Sequence, residues 1–228
     1  IHLENNMKKI LVVGDVILDT YTHGTVDRIS PEAPVLILKK SFEEQRLGGA
    51  ANVALNLKML GADPTLIGSI GIEKNAKIIK KLLKSFKITS CLVESKNIVT
   101  INKNRIVSDQ QQIIRVDVEE KKSIQDTERL LYEYFSNIFK EFEIIIFSDY
   151  DKGTLVKISY LIELCKKENK IIIVDPKGEN FDKYKFANIL TPNFREFEAI
   201  VGHCSNENEI IVKGLNLLED LNLESLII

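Results

Sequence analysis

The chain has 228 residues, 44% hydrophobic and 28% charged, with 31 basic residues against 33 acidic ones. This composition provides a hydrophobic core for one large domain and excludes general disorder. The formal net charge of −2 lacks the basic excess of nucleic-acid-binding domains, and no apolar run approaches the roughly 20 residues of a membrane-spanning helix. The cysteines at Cys91, Cys165 and Cys204 form no paired motif, which predicts a reducing, cytoplasmic location.

Short apolar runs alternate with helix-period segments along the chain. Strands are predicted at residues 9–13, 64–69, 89–93, 144–148, 171–175 and 189–191. Helices are predicted at residues 49–60, 76–86, 124–142, 155–168, 194–201 and about 207–221. Because the strands are continuously apolar and alternate with helices, the sequence predicts an α/β fold with a mostly parallel sheet flanked by helices.

Two β-only segments, at about 20–46 and 97–120, interrupt this alternation. They predict one small accessory sheet, a β lid over the carboxyl ends of the main strands, where open α/β sheets bind ligands. The last residues, Leu226–Ile228, read as part of a further strand, so we expect the C-terminal part of the fold to be missing. Residues 1–6, before Met7, are interpreted as a possible tag or N-terminal extension.

Several common catalytic motifs are absent from the sequence. None of the 11 glycines is followed by lysine, which excludes a G-x-x-x-x-G-K-[S/T] phosphate loop, and no G-x-G-x-x-G follows the first strand. The sequence contains neither H-E-x-x-H nor paired C-x-x-C zinc motifs, and no G-x-S-x-G nucleophile elbow. The remaining candidates are polar residues at strand ends and helix starts.

Small and acidic residues surround the start of the first long helix. Gly48 and Gly49 precede this helix, and Asn52 lies in its first turn. Glycines let a ligand approach the backbone, and a helix N-terminus offers N–H groups to oxygen-rich ligands. Asp15 and Asp19 follow the first strand, where carboxylates can accept hydrogen bonds from sugar hydroxyls. The alternatives are tight helix–sheet packing for the glycines and turn chemistry for the aspartates.

Two later strands end in loops that carry acid, lysine and glycine. Asp149 follows the strand at 144–148, and Lys177 follows the strand at 171–175. A lysine at this position supplies a point charge for phosphate. Lys103 and Arg105 lie in the second β-only segment, from which a lid closes on an anionic substrate. Solvated turns and ordinary strand charges are the alternative interpretations.

The segment Asn193-Phe194-Arg195-Glu196 begins a predicted helix. Asn193 at the N-cap and Glu196 three residues later form the pattern of a capping box, and Gly202 is typical of a helix end. The functional alternative is that Glu196 organises Mg²⁺ and water around nucleotide phosphates. A carboxylate beside polyphosphate requires a cation between them.

Together and in this order, the motifs resemble the ribokinase-like family of sugar kinases, and most closely its bacterial heptose 7-phosphate kinases. The resemblance rests on VGDVILD at 13–19, RISPEAPV at 28–35 and GGAANVA at 48–54. It continues through SDY at 148–150, DPKG at 175–178 and LTPN at 190–193. It covers residues 7–228, which we interpret as one kinase domain that stops before the ATP-site and catalytic-base region.

The resemblance implies ATP-dependent phosphorylation of D-glycero-D-manno-heptose 7-phosphate at its anomeric hydroxyl to the 1,7-bisphosphate, in ADP-heptose and lipopolysaccharide core synthesis. It implies that the following residues bind this substrate: Asp15, Asp19, Gly48, Gly49, Asn52, Lys103, Arg105, Asp149 and Lys177. ATP would bind at Asn193, Phe194, Arg195 and Glu196, with Glu196 at the Mg²⁺ ion. The resemblance also implies a homodimer through the β lid.

Family members carry their catalytic base in a G-x-G-D motif, which no residue of this chain matches. We therefore expect the chain by itself to bind sugar phosphate weakly and not to turn over ATP. The alternatives are another ribokinase-like sugar kinase and a catalytically inactive module that binds sugar phosphate. The whole interpretation predicts that Asp15, Asn52 and Lys177 share one cavity.

Overall fold

A computed structural model of the chain describes residues 8–120 and 125–228. The possible extension at residues 1–6 and the first residue of the helix predicted at 124–142 lie outside the described residues. The strands are β1 (Lys9–Gly14), β2 (Val16–Ile29), β3 (Leu36–Gly49), β4 (Asp63–Ile70), β5 (Thr89–Glu94), β6 (Ile101–Ser108), β7 (Gln111–Val118), β8 (Ile144–Ser148), β9 (Ile171–Asp175), β10 (Ile189–Leu190) and β11 (Ser225–Leu226). The helices are α1 (Ala50–Met59), α2 (Lys74–Ser85), α3 (Gln125–Ile138), α4 (Ile158–Lys167), α5 (Phe194–Val201) and α6 (Glu207–Leu221).

Seven parallel strands form the main sheet, in the order β11-β10-β9-β8-β1-β4-β5. From β1 the chain adds β4 and β5 on one side and then β8 to β11 on the other. The boundary between β1 and β8 is therefore a topological switch point, where open α/β sheets bind ligands at the carboxyl ends of their strands. The predicted α/β class with a mostly parallel sheet is confirmed.

Both faces of the main sheet are buried under helices. Leu11 and Val13 of β1 belong to one apolar cluster with side chains from α3 to α6. Val12 points to the other face and belongs to a second cluster with Ala54 of α1 and Ile79 of α2. Because successive side chains of a strand alternate between faces, a sheet covered on both sides requires continuously apolar strands.

A separate four-stranded sheet has the order β3-β2-β6-β7, and we call it the second sheet. β2 pairs antiparallel with β3 and parallel with β6, and β7 pairs antiparallel with β6. β2 follows β1 after the single residue Asp15, and β3 ends directly before α1. The two β-only segments thus form one accessory sheet attached at the switch point. Its first part begins at Val16 rather than near residue 20, because Val16 and Leu18 are buried against the α1–α2 cluster.

The bounds of α1 and α2 lie within two residues of the prediction, and two later helices differ by three or more residues at one end. α4 begins at Ile158 instead of residue 155, after a loop at 149–154 that follows β8. α3 ends at Ile138, and the chain continues as a 3₁₀ turn at Phe139–Glu141. In the described part of the chain, no helix has the length and apolar character needed to cross a membrane.

Candidate active site

Asp15 lies at the switch point with its carboxylate turned into the protein. The residue is 0% exposed. Its Oδ2 accepts hydrogen bonds from the backbone N–H groups of Tyr150 (2.9 Å) and Lys152 (3.1 Å), and its Oδ1 accepts from the N–H of Thr154 (3.1 Å). Burial raises the pKa of Asp15, and hydrogen bonds from this loop oppose the shift. The sequence placed this carboxylate against sugar hydroxyls, and the structure places it against three loop amides instead.

Asp149 is also engaged within the protein. It is 4% exposed, and its Oδ2 accepts hydrogen bonds from the Tyr184 hydroxyl (2.7 Å) and the Lys183 ammonium (2.8 Å). Its Oδ1 accepts from the N–H of Asp151 at 2.7 Å. The carboxylate therefore anchors its own loop to the segment after β9, and Asp149 also lines the second cavity described below, so its predicted contact with substrate stays a prediction.

The two glycines at the end of β3 lie where an added Cβ atom would approach neighbouring atoms too closely. Gly49 has a φ of 55°, and a Cβ atom there would collide with the carbonyl oxygen of Asp15. A Cβ atom on Gly48 would collide with the carboxylate of Asp19. The close neighbours of both glycines are residues 15–19 rather than a helix, and the predicted contact of the glycines with a ligand stays a prediction. This arrangement leaves the start of α1, which has no side-chain cap, beside Asp19.

Asp19 lies on β2 and keeps part of its carboxylate exposed, at 21% of the side chain. Its Oδ1 accepts a hydrogen bond from the Arg105 guanidinium at 2.5 Å. Strand register places Asp19 opposite Arg46 of β3 and Lys103 of β6. Asp19 therefore lies among three cations, two of which also face other carboxylates: Lys103 is opposite Asp117, and Arg46 pairs with Glu44.

A cavity of about 500 Å³, which we call the first cavity, opens beside this group and is lined by Asp19, Tyr21, Arg46 and Asn52, among others. The guanidinium carbons of Arg46 and Arg105 lie 4.8 Å and 5.2 Å from the centroid of the Tyr21 ring. Cations within about 6 Å of an aromatic centroid are attracted by the ring. The lining also includes Glu44, which accepts two hydrogen bonds from Arg46. The cavity therefore combines amide, carboxylate and guanidinium groups, which are suited to a polar ligand with several hydroxyl groups.

The second cavity, of about 390 Å³, lies at the carboxyl ends of β9 and β10, and its lining includes Tyr150, Asp175, Lys177, Asn193 and Glu196. The Lys177 ammonium lies 2.6 Å from Oε1 of Glu196. Burial raises the pKa of Asp175 to about 6, and the charge of Glu196 adds to the shift. The lining also includes Asp149, so the second cavity holds three carboxylates and one lysine.

The capping-box interpretation of α5 is confirmed. The side chain of Asn193 accepts a hydrogen bond from the N–H of Glu196, and Oε2 of Glu196 accepts from the N–H of Asn193, both at 3.0 Å. Phe194 and Arg195 are exposed on the first turn of the helix. The capping role leaves Oε1 of Glu196 with Lys177 at the edge of the second cavity, so capping and ligand binding do not exclude each other.

The predicted site residues therefore divide into separate groups. Asp19 and Asn52 line the first cavity, and Lys177 lines the second with Asn193 and Glu196. Asp15 is buried beneath the 149–154 loop. The expectation that Asp15, Asn52 and Lys177 share a cavity is not met. Asp15 is buried, Asn52 lies on α1, and Lys177 follows β9, which β8 separates from β1.

Comparison with known proteins identifies the family of this chain. The pfkB family of carbohydrate kinases matches residues 7–228, which is nearly the whole chain. This chain belongs to the pfkB family of carbohydrate kinases.

Relatives and solved structures agree with this membership. The chain is 44% identical to the bifunctional protein HldE of Psychromonas ingrahamii and 43% identical to HldE of Haemophilus influenzae strain Rd, over 99% of this chain and 47% of each relative. It thus spans about half the length of the curated relatives it matches. Phosphofructokinase-2 from Escherichia coli with fructose-6-phosphate is similar with a TM-score of 0.74 and 20% identity, over 95% of this chain and 71% of that one. Ribokinase from Giardia lamblia has a TM-score of 0.75 and 15% identity, over 96% and 72%. These two structures share the fold.

A pfkB kinase site needs room for nucleotide phosphates and the divalent cation that accompanies them. Within residues 8–120 and 125–228, no group of three or more His, Cys, Asp or Glu side chains is arranged to hold a metal ion. Mg²⁺ usually binds through one or two carboxylates, substrate phosphates and water. Glu196, with Asp175 nearby, fits that mode of binding in the second cavity.

Sequence analysis missed several residues that the pfkB fold brings to the site. Tyr21 and Arg46 line the first cavity, and Tyr150 lines the second. Tyr21 has a signal in the sequence, because it lies two residues after Asp19 on a strand and therefore on the same face. Arg46 has no such signal in the sequence, since only the pairing of β2 with β3 places it opposite Asp19.

Proposed function

We propose that this chain belongs to an enzyme that transfers phosphate from ATP to the anomeric hydroxyl of D-glycero-D-manno-heptose 7-phosphate, in ADP-heptose and lipopolysaccharide core synthesis. The observation that carries the proposal is the first cavity of this pfkB kinase, which Asp19, Asn52 and Arg46 line. Arg105 holds the Asp19 carboxylate from the neighbouring strand. The RISPEAPV string at 28–35, which resembles heptose 7-phosphate kinases, supports the choice of sugar.

In this proposal the first cavity binds the sugar phosphate. Asp19 accepts hydrogen bonds from sugar hydroxyls, and Asn52 offers both a donor and an acceptor. The glycine turn at 48–49 lets the sugar approach the uncapped start of α1. Lys103, opposite Asp19, neutralises the 7-phosphate together with Arg105 and Arg46, whose carboxylate partners in the structure are Asp19 and Glu44. Asp19 takes the place first given to Asp15, because Asp15 is buried and hydrogen-bonded to the loop.

The second cavity binds the nucleotide in this proposal. Glu196 would hold Mg²⁺ at the edge of this cavity, and Asn193 fixes the position of Glu196 through the capping box. Mg²⁺, when bound, neutralises charge on the phosphates during transfer. Lys177 contacts nucleotide phosphate rather than the sugar 7-phosphate, because it lies with Glu196 in the second cavity. Phe194 and Arg195, exposed on the same turn, complete the nucleotide side.

No residue of this chain is assigned as the catalytic base. The resemblance implies an aspartate in a G-x-G-D motif that this chain does not contain, and Asp15 and Asp149 are both occupied by hydrogen bonds within the protein. We therefore expect the 228-residue chain to show no heptose kinase activity when assayed alone. Phosphate transfer by this chain would contradict that assignment.

The function is tested by Asp19→Asn in the intact protein. Loss of the carboxylate charge is expected to abolish detectable binding of heptose 7-phosphate in calorimetric titrations and to leave nucleotide affinity unchanged. Asp63→Asn is the control, since Asp63 also pairs with a cation, Lys58 at 3.2 Å, but begins β4 at the amino end of the main sheet. Unchanged sugar affinity in Asp19→Asn would contradict the assignment of the first cavity.

Two alternatives are separated by the same titrations. Tighter binding of another phosphorylated sugar than of heptose 7-phosphate would favour a different ribokinase-like sugar kinase. Binding of sugar phosphate without turnover by the intact protein would favour a non-catalytic sugar-phosphate-binding module.

The set of free thiols, Cys91, Cys165 and Cys204, supports the proposed cytoplasmic location, since thiols persist in reducing compartments.

We also propose a homodimer through the second sheet. All eight residues of β7 are exposed, and Ile114, Val116 and Val118 lie on the same face because strand side chains alternate. Their exposed fractions are 56%, 48% and 42%. A second copy that covers this apolar strand would remove the surface from water.

A further inference from the structure

The 149–154 loop, between β8 and α4, contacts both sheets. The Lys152 ammonium lies 2.6 Å from Oε1 of Glu119, directly after β7 of the second sheet. The Tyr150 ring centroid lies 5.5 Å from the ammonium of Lys103 on β6. On the side of the main sheet, the hydroxyl of Thr154 is 3.2 Å from that of Ser69 on β4.

Through Tyr150, the same loop reaches the second cavity and a residue that is paired with the first. Tyr150 lines the second cavity, and its neighbour Lys103 is opposite Asp19 of the first. Burial raises the pKa of Tyr150, and the carboxylates of Asp175 and Asp19 add to the shift. The phenol is therefore within electrostatic reach of carboxylates from both cavities.

Asp15 holds this loop from beneath. Its carboxylate accepts hydrogen bonds from alternate backbone N–H groups, those of residues 150, 152 and 154. Its own backbone N–H donates to the carbonyl of Ser148 at the end of β8 (3.2 Å), and its carbonyl accepts from the N–H of Ala50 at the start of α1 (2.9 Å). One buried residue thus connects β1, β8, α1 and the loop.

We propose that Asp15 is a positioning residue whose carboxylate holds Tyr150 and Lys152 in place and thereby couples sugar-phosphate binding to nucleotide binding. The inference rests on the proposed kinase function, since it concerns that enzyme's two ligands. Asp15 itself touches neither ligand, because its oxygens are buried under the loop. Coupling of this kind is reciprocal: each ligand tightens the other by the same factor.

The first test replaces Asp15 with Asn in the intact protein. The amide nitrogen cannot accept a hydrogen bond, so the variant loses acceptors for the loop N–H groups. Calorimetric titration measures the affinity for heptose 7-phosphate with and without a non-hydrolysable ATP analogue and Mg²⁺. It also measures the affinity for the ATP analogue with and without heptose 7-phosphate. In the wild type we expect mutual tightening by about fivefold or more. In Asp15→Asn we expect the factor to fall to near one, while each ligand alone binds close to its wild-type affinity.

The second variant, Lys152→Met, leaves the buried carboxylate intact and removes only the ion pair with Glu119. It is expected to weaken coupling in the same direction. Lys80→Met is the matched control, since Lys80 pairs with Glu94 at 2.8 Å and joins α2 to β5 instead. In this control variant, each ligand is expected to tighten the binding of the other by the same factor as in the wild type. Amide hydrogen exchange of the peptide at 149–154 is expected to accelerate in Asp15→Asn.

The outcomes separate the inference from the function on which it rests. Loss of coupling in Asp15→Asn and Lys152→Met, with coupling retained in Lys80→Met, supports the inference. Wild-type binding of both ligands without mutual tightening overturns it, as does full coupling in a folded Asp15→Asn protein. If Asp15→Asn does not fold, full coupling in Lys152→Met overturns it. A wild type that binds neither ligand overturns the proposed function instead.

Discussion

At the scale of single residues, Asp15 and Asp19 show how burial separates groups that look equivalent in sequence. Both are acids after the first strand, four positions apart. Asp15 lies under a loop and accepts three backbone hydrogen bonds, whereas Asp19 points from β2 toward Arg105 and open space. The sequence identified both as candidates, and the tertiary contacts decided which carboxylate remains available to a ligand.

Asp175 gives a prediction about stability and pH. Its pKa is about 6 in the folded chain against an ordinary value of 3.8, so the folded state binds the proton more tightly than the unfolded state. Stability therefore falls as the pH rises from about 4 to 6. Asp175→Asn removes the carboxyl group and with it this dependence on pH. We expect the free energy of unfolding of the variant, relative to that of the wild type, to rise by about 1–2 kcal/mol between pH 4 and pH 7.5, allowing for solvent screening.

Urea unfolding at the two pH values measures this difference. The exposed Asp220 of α6, replaced by Asn, is the control, and its stability relative to wild type is expected to stay nearly constant. An Asp175→Asn protein whose relative stability does not change with pH would contradict the raised pKa of the carboxyl.

Gly49 gives a prediction about backbone conformation. Gly49→Ala combines a φ of 55° with a clash against the Asp15 carbonyl, so we expect a loss of more than about 1 kcal/mol of unfolding free energy. Gly61→Ala is the matched control, since Gly61 also has a positive φ of 87° but a Cβ atom added there would meet no other atom within 4 Å. Urea unfolding that gives equal losses for both variants would show that the clash contributes nothing.

At the scale of elements, local patterns were sufficient where local contacts decide the structure. The periodicity predicted α5 at 194–201 and α6 at about 207–221, and both helices have these bounds. Asparagine N-caps mark both starts. The start of α4 was predicted three residues early, because the preceding loop is held by hydrogen bonds to Asp15, more than 130 residues away in sequence.

The cap of α5 gives a prediction that separates stability from binding. Asn193→Ala removes the acceptor for the N–H of Glu196, and we expect a loss of about 1 kcal/mol of stability together with weaker binding of Mg²⁺ and nucleotide. Asn206→Ala removes the equivalent cap of α6, where the N–H of Glu209 donates at 3.0 Å. We expect this control to lose similar stability and to keep nucleotide affinity. Equal nucleotide affinity in both variants would remove Asn193 from the proposed site.

At the scale of the whole molecule, the second sheet leaves an exposed apolar strand on the side away from Asp19. Ile114 and Val116 of β7 occupy that face. On the other face, strand register groups Arg46, Lys103 and Arg105 near Asp19. One sheet thus presents a polar face to the first cavity and an apolar edge strand for the proposed second copy.

The dimer is tested by Ile114→Lys combined with Val116→Lys. Two charges in the apolar face are expected to convert a dimer into a monomer in sedimentation experiments, because buried unpaired ammonium groups are costly. Ile211→Lys on α6 is the control, since Ile211 is similarly exposed at 58% but lies outside the second sheet. A monomeric wild type, or a double variant that remains dimeric, would contradict the proposal.

The amino-acid sequence by itself determined the α/β class, the approximate positions of the strands and helices, and the motifs at the ends of β1, β8 and β9. These depend on periodicity, helix caps and turn residues, which act over a few positions. Only the tertiary structure decided that Arg46 and Lys103 lie opposite Asp19, that Asp15 holds a distant loop, and that two cavities replace one. Strand pairing and burial are long-range properties, so no local pattern specifies which polar side chain turns inward and which meets a ligand.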